Sequence, residues 1–475
     1  MSGILDELIG IVGEAHVLTG ADAAPYLQDW TGQWTGAASA VLRPATTTEV
    51  AAIMALATRT GTRVTLQGGN TSVSGGSVPG ADGEGWLLSL GRLNKIRSID
   101  PAARTATVDA GVVIQSLQDA VGAHDLDFPL MFGARGTAQI GGALATNAGG
   151  SNVLRYGNAR ELCLGVEAVL PTGEIVHGLT GLRKDNTGYD IKDLLIGSEG
   201  TLGVITGAVL KLVPTPKVRA TAFLALADMN AALEVLNTIQ DATGGLVEAF
   251  EWLPGEMVQA ILDHHTGLRA PLEAPAENGI LVELASTRPA DAQIDSSGSV
   301  HLDTLMLECV EGLMERELVI DGSFATSEQQ RIDMWSMREA VLETIQANGP
   351  FLSLDASLPL SKVPEFLERA VPIAAARDLR AMMVAHLGDG NVHYAVVASG
   401  DQAWGDIDTE GFTQEMTDLL MALGGSFSAE HGIGRSKVKT LRARKDPAQF
   451  ALMTAIKGTV DPAGILNPGV LLDQA

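Results

Sequence analysis

The sequence predicts an α+β fold with at least two domains, and three features of the chain support this. Its 475 residues, 46% of them hydrophobic, exceed one ordinary domain and suffice for large cores. Helix and strand signals alternate up to PTPKV, residues 214–218, where two prolines follow a strand. Beyond that point, amphipathic helix patterns accompany strand patterns, which predicts a second domain of α+β type with an antiparallel sheet. We predict a first domain at 1–216 (subdomains at about 1–100 and 101–216), a second domain at 217–435, and a C-terminal segment at 436–475 that returns to the first.

Composition and charge exclude several classes of function. The formal net charge of −25 argues against nucleic acid or an anionic membrane as a partner. The two cysteines, Cys163 and Cys309, stand far apart without a CxxC motif, which excludes a cysteine-ligated iron–sulfur cluster. The N-terminus lacks the basic start of a signal peptide, and no run of about 18 apolar residues exists that could span a membrane. We therefore expect a soluble, cytoplasmic protein.

Three glycine-rich segments in the first domain indicate a nucleotide site. They are QGGNTSVSGG at 67–76, GARGTAQIGGALATNAGG at 133–150 and GSEGTLG at 197–203. None fits the GxGxxG or GxxxxGK[ST] patterns, which weighs against a directly bound nicotinamide dinucleotide and against an NTPase. Each alone is a weak signal, because glycine-rich turns after strands are common. Together they favour an extended dinucleotide whose phosphates meet backbone N–H groups.

The order of four motifs makes the chain resemble a known flavoprotein family. QGGNTSVSGGSVP, IGGALATNAGG, YDIKDLLIGSEGTLGVIT and LNPG follow one another as in the vanillyl-alcohol oxidase and p-cresol methylhydroxylase superfamily. Within it, the chain is most similar to the FAD-linked D-2-hydroxy acid dehydrogenases, the D-lactate and D-2-hydroxyglutarate dehydrogenase type, from about Arg43 to Gly469. The resemblance implies a two-subdomain FAD-binding domain of the vanillyl-alcohol oxidase type and an α+β substrate (cap) domain.

The resemblance also implies which residues bind the cofactor. FAD would be non-covalent, because no histidine lies in or beside the glycine-rich loops. The first glycine-rich segment would hold the pyrophosphate, and the second would form another wall of the site. The third segment would lie near the adenine or ribose, and one asparagine would lie near the isoalloxazine ring. In that order, the residues are Gly68, Gly69, Asn70 and Thr71; Ala134, Gly136, Gly141, Gly142, Thr146, Asn147 and Gly149; Glu199, Gly200, Gly203 and Ile205; and Asn467.

A histidine pair in the second domain suggests a metal site. In MMVAHLGDGNVHYAVV, residues 382–397, Asp389-Gly390 is a dipeptide preferred in type I′ hairpin turns. A two-residue loop there would place His386 directly opposite His393, with both imidazoles on one face of the sheet. A lone histidine is more often a satisfied core or surface residue, but this paired register favours shared binding of one metal ion.

The third ligand has to come from another segment. GGSFSAEHGIG, residues 424–434, offers Glu430 and His431, although a solvated loop is an equally good interpretation of these residues alone. The resemblance decides between the two interpretations. It implies His386, His393 and Glu430 as ligands of a divalent ion, zinc or manganese, and His431 as the catalytic base. It also implies that Asn391 faces the substrate.

Substrate recognition rests on Arg338 and on two departures from the family pattern. Arg338 in WSMREAV would bind the substrate carboxylate, because a guanidinium pairs with a carboxylate through two hydrogen bonds. Without the resemblance, a surface arginine would be the better interpretation. Relatives that act on 2-hydroxyglutarate have a threonine one turn later and a lysine before the SLP segment, where this chain has Leu342 and Ser353. Val470 likewise replaces the family's lysine after NPG, so we do not expect this chain to make the contribution that the lysine makes near the flavin.

We therefore predict an FAD- and metal-dependent enzyme that oxidises a D-2-hydroxy acid, lactate-like or otherwise monocarboxylic, to the 2-oxo acid. A metal lowers the pKa of the hydroxyl, a neutral histidine removes its proton, and the flavin accepts the hydride. Electrons would pass to an electron-transfer flavoprotein, a quinone or a cytochrome, and the protein could form a homodimer. The alternatives are D-2-hydroxyglutarate as substrate, an oxygen-using oxidase, a non-catalytic flavin subunit of a larger complex, and a metal-dependent hydrolase.

Overall fold

The protein, described here from a computed structural model, forms two compact units. The structure describes residues 2–294, 296, 298–400 and 402–473. Unit 1 consists of Met1–Gly149, Gly157–Pro214 and Glu430–Ala475, and unit 2 of Gly150–Tyr156 and Thr215–Ala429. The main divisions thus fall after residues 214 and 429, whereas the sequence pattern suggested 216 and 435.

Helices and strands occur in both units. The helices are α1 Ser2–Val12, α2 Thr47–Thr60, α3 Ile114–Gly122, α4 Ile140–Thr146, α5 Val153–Tyr156, α6 Ile191–Leu195, α7 Ala232–Thr243, α8 Gly255–His264, α9 His301–Glu315, α10 Glu328–Glu339, α11 Val341–Ala347, α12 Val363–Ala375, α13 Thr409–Ala422, α14 Val438–Arg444 and α15 Pro447–Val460. The strands are β1 Val17–Leu18, β2 Ala40–Leu42, β3 Val64–Gln67, β4 Trp86–Ser89, β5 Ile96–Asp100, β6 Thr105–Asp109, β7 Leu126–Asp127, β8 Cys163–Val169, β9 Ile175–His177, β10 Val204–Lys211, β11 Val213–Pro214, β12 Val218–Leu226, β13 Val247–Pro254, β14 Asn278–Ser286, β15 Val319–Phe324, β16 Phe351–Ser357, β17 Leu379–His386 and β18 Asn391–Ala398.

Unit 1 contains two principal sheets. The first has the order β1-β2-β4-β3, in which β4 pairs in parallel with both β2 and β3. Helix α2 connects β2 to β3, and Thr46 caps its first turn by accepting the N–H of Glu49. The second sheet is antiparallel, with the order β5-β6-β10-β8-β9. The first sheet is formed by strands between residues 17 and 89, and the second by strands between residues 96 and 211.

The C-terminal segment is joined to the first sheet of unit 1. Leu466 forms a parallel bridge with Val64, and the Asn467 N–H donates to the Val64 carbonyl. The Asn467 side chain accepts the N–H of Leu66 at 2.7 Å. These bonds place Asn467 beside β3, which leads directly into the loop that carries Gly68 and Gly69.

Unit 2 is built on a seven-stranded antiparallel sheet with the order β15-β12-β14-β13-β17-β18-β16. One face packs against α7, α9, α12 and α13 around buried residues such as Phe250, Phe366 and Tyr394. The other face packs against α8, α10 and α11. The predicted α+β class with an antiparallel second-domain sheet is confirmed.

The sheet face covered by α8, α10 and α11 is apolar at one end of its strands and polar at the other. One end is apolar, with Leu281, Met382 and Val384 packed against Ile261 and Val341. Because side chains alternate between faces, the same face continues into Glu251 and His386 on β13 and β17. This polar end positions the candidate site in unit 2.

No helix among the residues that the structure describes has the length and hydropathy needed to cross a membrane.

Candidate active site

The loop after β3 packs tightly against the second glycine-rich segment of unit 1. A Cβ on Gly69 would lie 2.2 Å from the Thr137 carbonyl oxygen, so only glycine fits there. Asn70 adopts a left-handed backbone with φ 55°, and its side chain bonds the Gln28 carbonyl and the Ser77 hydroxyl. These contacts fix the loop that also carries Gly68 and Thr71. They also hold Asn70 in a left-handed conformation, which costs free energy for a residue other than glycine.

The second segment contains α4, and two of its glycines, Gly136 and Gly142, border open space, which we call the groove. Gly141 is held against Ala110, since a Cβ there would lie 2.7 Å from the Ala110 Cβ. Cβ atoms built on Gly136 and Gly142 would meet no atom within 4 Å. The Gln139 Oε1, buried beside Gly68, accepts no hydrogen bond from the residues that the structure describes. An open, glycine-lined groove with an unsatisfied polar atom fits a flat ligand such as FAD.

The end of α4 is shaped by a second left-handed residue. Asn147 caps the helix with φ 53°, and its Oδ1 accepts the N–H of Arg160 at 2.9 Å. Thr146 bonds back to the Gly142 carbonyl. Two further residues predicted for this wall flank α4. Ala134 lies in the 3-10 turn Gly133–Gly136 before the helix, and Gly149 lies three residues after its last residue, Thr146.

Glu199 joins the third segment to the HGIG turn and to Asn467. Its carboxylate accepts the N–H groups of Ile433 and Gly434, each at 2.7 Å, and its carbonyl accepts the Asn467 side chain. Burial raises the pKa of the Glu199 carboxyl, and the two N–H donors partly offset that rise. Gly200 lies against Asn467, since a Cβ there would be 2.7 Å from its Nδ2, while Gly203 and Ile205 are buried at the start of β10. Glu199 thus organises the segment rather than offering a free carboxylate.

Glu430 and His431 also belong to unit 1. The Glu430 Oε1 lies 3.9 Å from the His431 Nε2, and both side chains are partly exposed. The Ser74 hydroxyl donates to the His431 carbonyl at 3.1 Å, and Gly434 fits closely against Ser74. The HGIG turn is therefore fixed to the segment that follows the β3 loop.

In unit 2, the predicted register of the histidine hairpin is wrong by two residues. His386 pairs with Asn391, and His393 pairs with Val384, because the loop has four residues, Leu387–Gly390, and not two. The N–H groups of Asp389 and Gly390 both bond the His386 carbonyl, and Gly390 adopts φ 81°. The two histidines are diagonal rather than opposite, yet they share a face, with ring centroids 5.2 Å apart.

Two carboxylates that the sequence analysis missed lie beside these histidines. The Glu251 Oε1 lies 2.8 Å from the His386 Nδ1, and its Oε2 accepts the Arg338 Nε at 2.7 Å. The Asp355 Oδ1 lies 3.9 Å from the His393 Nδ1. Acidic residues inside the apolar strand sequences VEAFEWLP and FLSLDAS were the signal that could have identified them.

The charges of this cluster are compensated within unit 2. Burial alone would raise the pKa of the Glu251 carboxyl, but His386 and Arg338 outweigh it, so that the pKa lies below its usual range. Arg338 is also close to the second ring nitrogen of His386, with its Nη2 3.4 Å from the Nε2. The predicted carboxylate-binding arginine and the predicted metal-ligating histidine therefore form one buried network.

Asn391 occupies the same end of the sheet. Its N–H donates to the Asp389 carboxylate at 3.1 Å, and only 6% of the residue is exposed. Its Oδ1 is buried and accepts no hydrogen bond from the described part of the chain. A buried acceptor of this kind requires a donor, which a substrate hydroxyl can supply.

Comparison with known proteins assigns the family. A model described as "FAD linked oxidases, C-terminal domain" matches residues 215–471, and one described as "FAD binding domain" matches residues 38–178. D-2-hydroxyglutarate dehydrogenase, mitochondrial, of Rattus norvegicus is 35% identical over 448 residues, which cover 93% of this chain and 79% of the relative. The chain belongs to the FAD-linked oxidase family. It is an oxidoreductase of the D-2-hydroxy acid dehydrogenase type.

Bacterial and fungal relatives extend this match over nearly the whole chain. D-2-hydroxyglutarate dehydrogenase of Xanthomonas citri pv. viticola is 34% identical over 457 residues and covers 95% of this chain and 93% of the relative. D-2-hydroxyglutarate–pyruvate transhydrogenase of Saccharomyces cerevisiae is 32% identical, with coverage of 94% and 89%.

Solved structures share the fold of this FAD-linked oxidase family member. Substrate-bound p-cresol methylhydroxylase matches with a TM-score of 0.74 at 17% identity, covering 99% of this chain and 97% of its own. An alkyldihydroxyacetonephosphate synthase matches with a TM-score of 0.73 at 16% identity, covering 98% and 84%. The predicted vanillyl-alcohol oxidase type of fold is confirmed.

The open groove beside Gly142 yields a prediction about cofactor loading. Gly142→Leu places a side chain where a Cβ meets no protein atom, and leucine favours the helix over glycine by up to about 1 kcal/mol. We expect a folded protein whose flavin content falls at least about tenfold, because the side chain fills the groove. Flavin absorbance per protein and far-UV circular dichroism measure both effects.

Gly122→Leu is the control, since a Cβ on this residue at the end of α3 also meets nothing within 4 Å. It should keep full flavin content. A Gly142→Leu protein with normal flavin content would show that the groove does not hold the cofactor.

Proposed function

We propose that this protein oxidises a D-2-hydroxy acid to the 2-oxo acid with bound FAD and a divalent metal ion. The observation that carries the proposal is the buried network of Arg338, Glu251 and His386 beside His393 and Asn391, on one face of the unit 2 sheet. It combines a cation for a carboxylate, imidazoles for a metal, and an unsatisfied acceptor for a hydroxyl. The family assignment supports the FAD.

The substrate carboxylate would be bound by Arg338. Its Nε is held by Glu251, which leaves N–H donors on the two terminal nitrogens. The side chain is 13% exposed, so it is fixed in place while part of it remains reachable. A guanidinium oriented in this way can bind a carboxylate without the entropy loss of a free surface arginine.

The metal would be held by His386, His393 and Glu430, as the resemblance implies. The histidine ring centroids, 5.2 Å apart, and the imidazole and carboxylate donors fit a divalent ion such as zinc or manganese. Such an ion lowers the pKa of a bound hydroxyl. His431 is proposed as the base that takes the hydroxyl proton, and Asn391 as a residue that orients the substrate.

FAD, when bound, supplies the acceptor for the hydride that leaves the α-carbon. The residues proposed to hold it are those of the three glycine-rich segments together with Asn467. Electrons would then leave to an external acceptor, for which we propose an electron-transfer flavoprotein, a quinone or a cytochrome.

We further propose a preference for monocarboxylic substrates. The relatives compared are named for D-2-hydroxyglutarate, which makes that acid the second candidate. Leu342 and Ser353 replace the polar and cationic residues that the family uses for a distal carboxylate. Both positions are exposed, and neither offers a charge. A second carboxylate would therefore lose charge-assisted hydrogen bonds at these positions.

His393→Ala tests the metal site. The loss of an imidazole ligand should reduce turnover of D-2-hydroxy acids by at least about a thousandfold, because the hydroxyl pKa is no longer lowered. Flavin content should stay unchanged, since His393 lies in unit 2 and the glycine-rich segments lie in unit 1. His301→Ala, at the exposed start of α9, should retain activity. Normal turnover by His393→Ala would contradict the assignment.

Ser353→Lys tests the substrate preference. A lysine at this exposed position should raise the ratio of kcat/KM for D-2-hydroxyglutarate to that for D-lactate by about tenfold, because one charge-assisted bond is worth about 1.5–3 kcal/mol. Ser361→Lys adds the same charge at another exposed position in unit 2 and should leave the ratio unchanged. An equal ratio in both variants would remove this basis for the preference.

A further inference from the structure

Two arginine–glutamate pairs join α10 to neighbouring strands of the unit 2 sheet. Arg331 bonds Glu283 on β14 through its Nε at 2.8 Å and its Nη2 at 3.1 Å. Seven residues later, Arg338 bonds Glu251 on β13 through its Nε at 2.7 Å. Both carboxylates are almost fully buried, with 3% and 1% exposure. The pairs therefore match in the elements that they join and in the burial of their carboxylates.

The two glutamates differ in their remaining contacts. Glu283 accepts bonds from the Thr221 hydroxyl and the Trp335 indole, which are contacts within the fold. Glu251 instead directs its second oxygen to the Nδ1 of His386 at 2.8 Å. It thereby links two residues of the proposed active site.

The contact with Glu251 determines the tautomer of His386. The carboxylate accepts the Nε–H of Arg338 through one oxygen and faces the His386 Nδ1 through the other, and a carboxylate paired with a guanidinium only accepts hydrogen bonds. The Nδ1 therefore carries the proton, and the lone pair resides on the Nε2. A carboxylate behind a ligating histidine fixes both the tautomer and the orientation of the ring.

The same carboxylate orients the guanidinium. With its Nε held by Glu251, the plane of Arg338 is fixed, and its Nη2 donates to the His386 Nε2 at 3.4 Å, a hydrogen bond that a metal on this nitrogen would replace. The nitrogen that would bind a metal and the cation that would bind a carboxylate are thus held side by side. An α-hydroxy carboxylate presents its hydroxyl and carboxylate oxygens on adjacent carbons, which suits such a pair.

We propose that Glu251 is the positioning residue of the active site, which aligns Arg338 with the substrate carboxylate and the His386 Nε2 with the metal. The inference rests on the proposed function. Glu251 touches neither substrate nor metal, and it acts through the two residues that it holds. It therefore couples the affinity for metal to the affinity for the hydroxy acid.

Glu251→Gln tests this role in the flavin-loaded protein, with Glu283→Gln as its matched control. Arg338 and His386 meet different oxygens of Glu251, and the amide replaces one of these oxygens with an NH2 donor, so it cannot accept at both positions. We expect the affinity for Zn²⁺, measured by elemental analysis during chelator titration, to fall about 10–100-fold. KM for D-lactate should rise about tenfold or more. Glu283→Gln should change both values less than about threefold.

A second readout requires no turnover. Binding of pyruvate, the 2-oxo acid product of D-lactate, is followed through the change it causes in the visible flavin spectrum. Its Kd should rise in Glu251→Gln and stay near the wild-type value in Glu283→Gln. If Glu251→Gln does not fold with flavin, Glu251→Asp replaces it, and its shorter carboxylate should give smaller changes in the same direction.

Three results separate the possible failures. Equal metal and pyruvate affinities in wild type and the residue 251 variant would overturn the positioning role. Equal losses in the residue 251 and residue 283 variants would also overturn it, because the general packing of α10 would then be responsible. A wild-type protein that neither retains metal nor oxidises any D-2-hydroxy acid would contradict the proposed function itself.

Discussion

The buried carboxylate of Glu251 is the constraint on which the unit 2 site depends. A charge removed from water on a sheet face has to be compensated, and loss of one partner of a buried pair costs about 3–5 kcal/mol. The compensation comes from Arg338 on α10 and His386 on β17, which are distant in sequence. Their positions are therefore set by electrostatics as well as by the apolar packing of α8, α10 and α11 on the sheet.

The glycine-rich segments of unit 1, which we propose hold FAD, depend on a different kind of constraint. Four predicted cofactor residues, Asn70, Asn147, Glu199 and Asn467, have positive φ, which is uncommon for residues other than glycine. Side-chain bonds to Gln28, Arg160, Ile433 and Leu66 hold these conformations. Backbone strain that is maintained in this way is typical of ligand sites.

The fold class could be predicted from the sequence because local patterns of apolar residues indicate helices and strands. The glycine-rich segments could be recognised because they are features of local composition. The histidine hairpin shows the limit of local reasoning. Asp389-Gly390 suggested a two-residue loop, but the bonds of Asp389 and Gly390 to the His386 carbonyl close a four-residue turn. The observed pairing register differs from the predicted one by two residues, an even number, so both histidines still lie on one face of the sheet. They are therefore close together although the predicted register was wrong. Glu251 was missed because its partners come from another strand and a helix, and strand order cannot be read from one strand's sequence.

The visible spectrum of the purified protein, titrated anaerobically with D- and L-2-hydroxy acids before and after a chelator, tests the central claim most directly. We expect the flavin band to be bleached by the D series only and the bleaching to require the metal, with D-lactate more effective than D-2-hydroxyglutarate. A yellow protein whose spectrum no 2-hydroxy acid changes would contradict the proposed reaction. It would leave the FAD-binding fold in place.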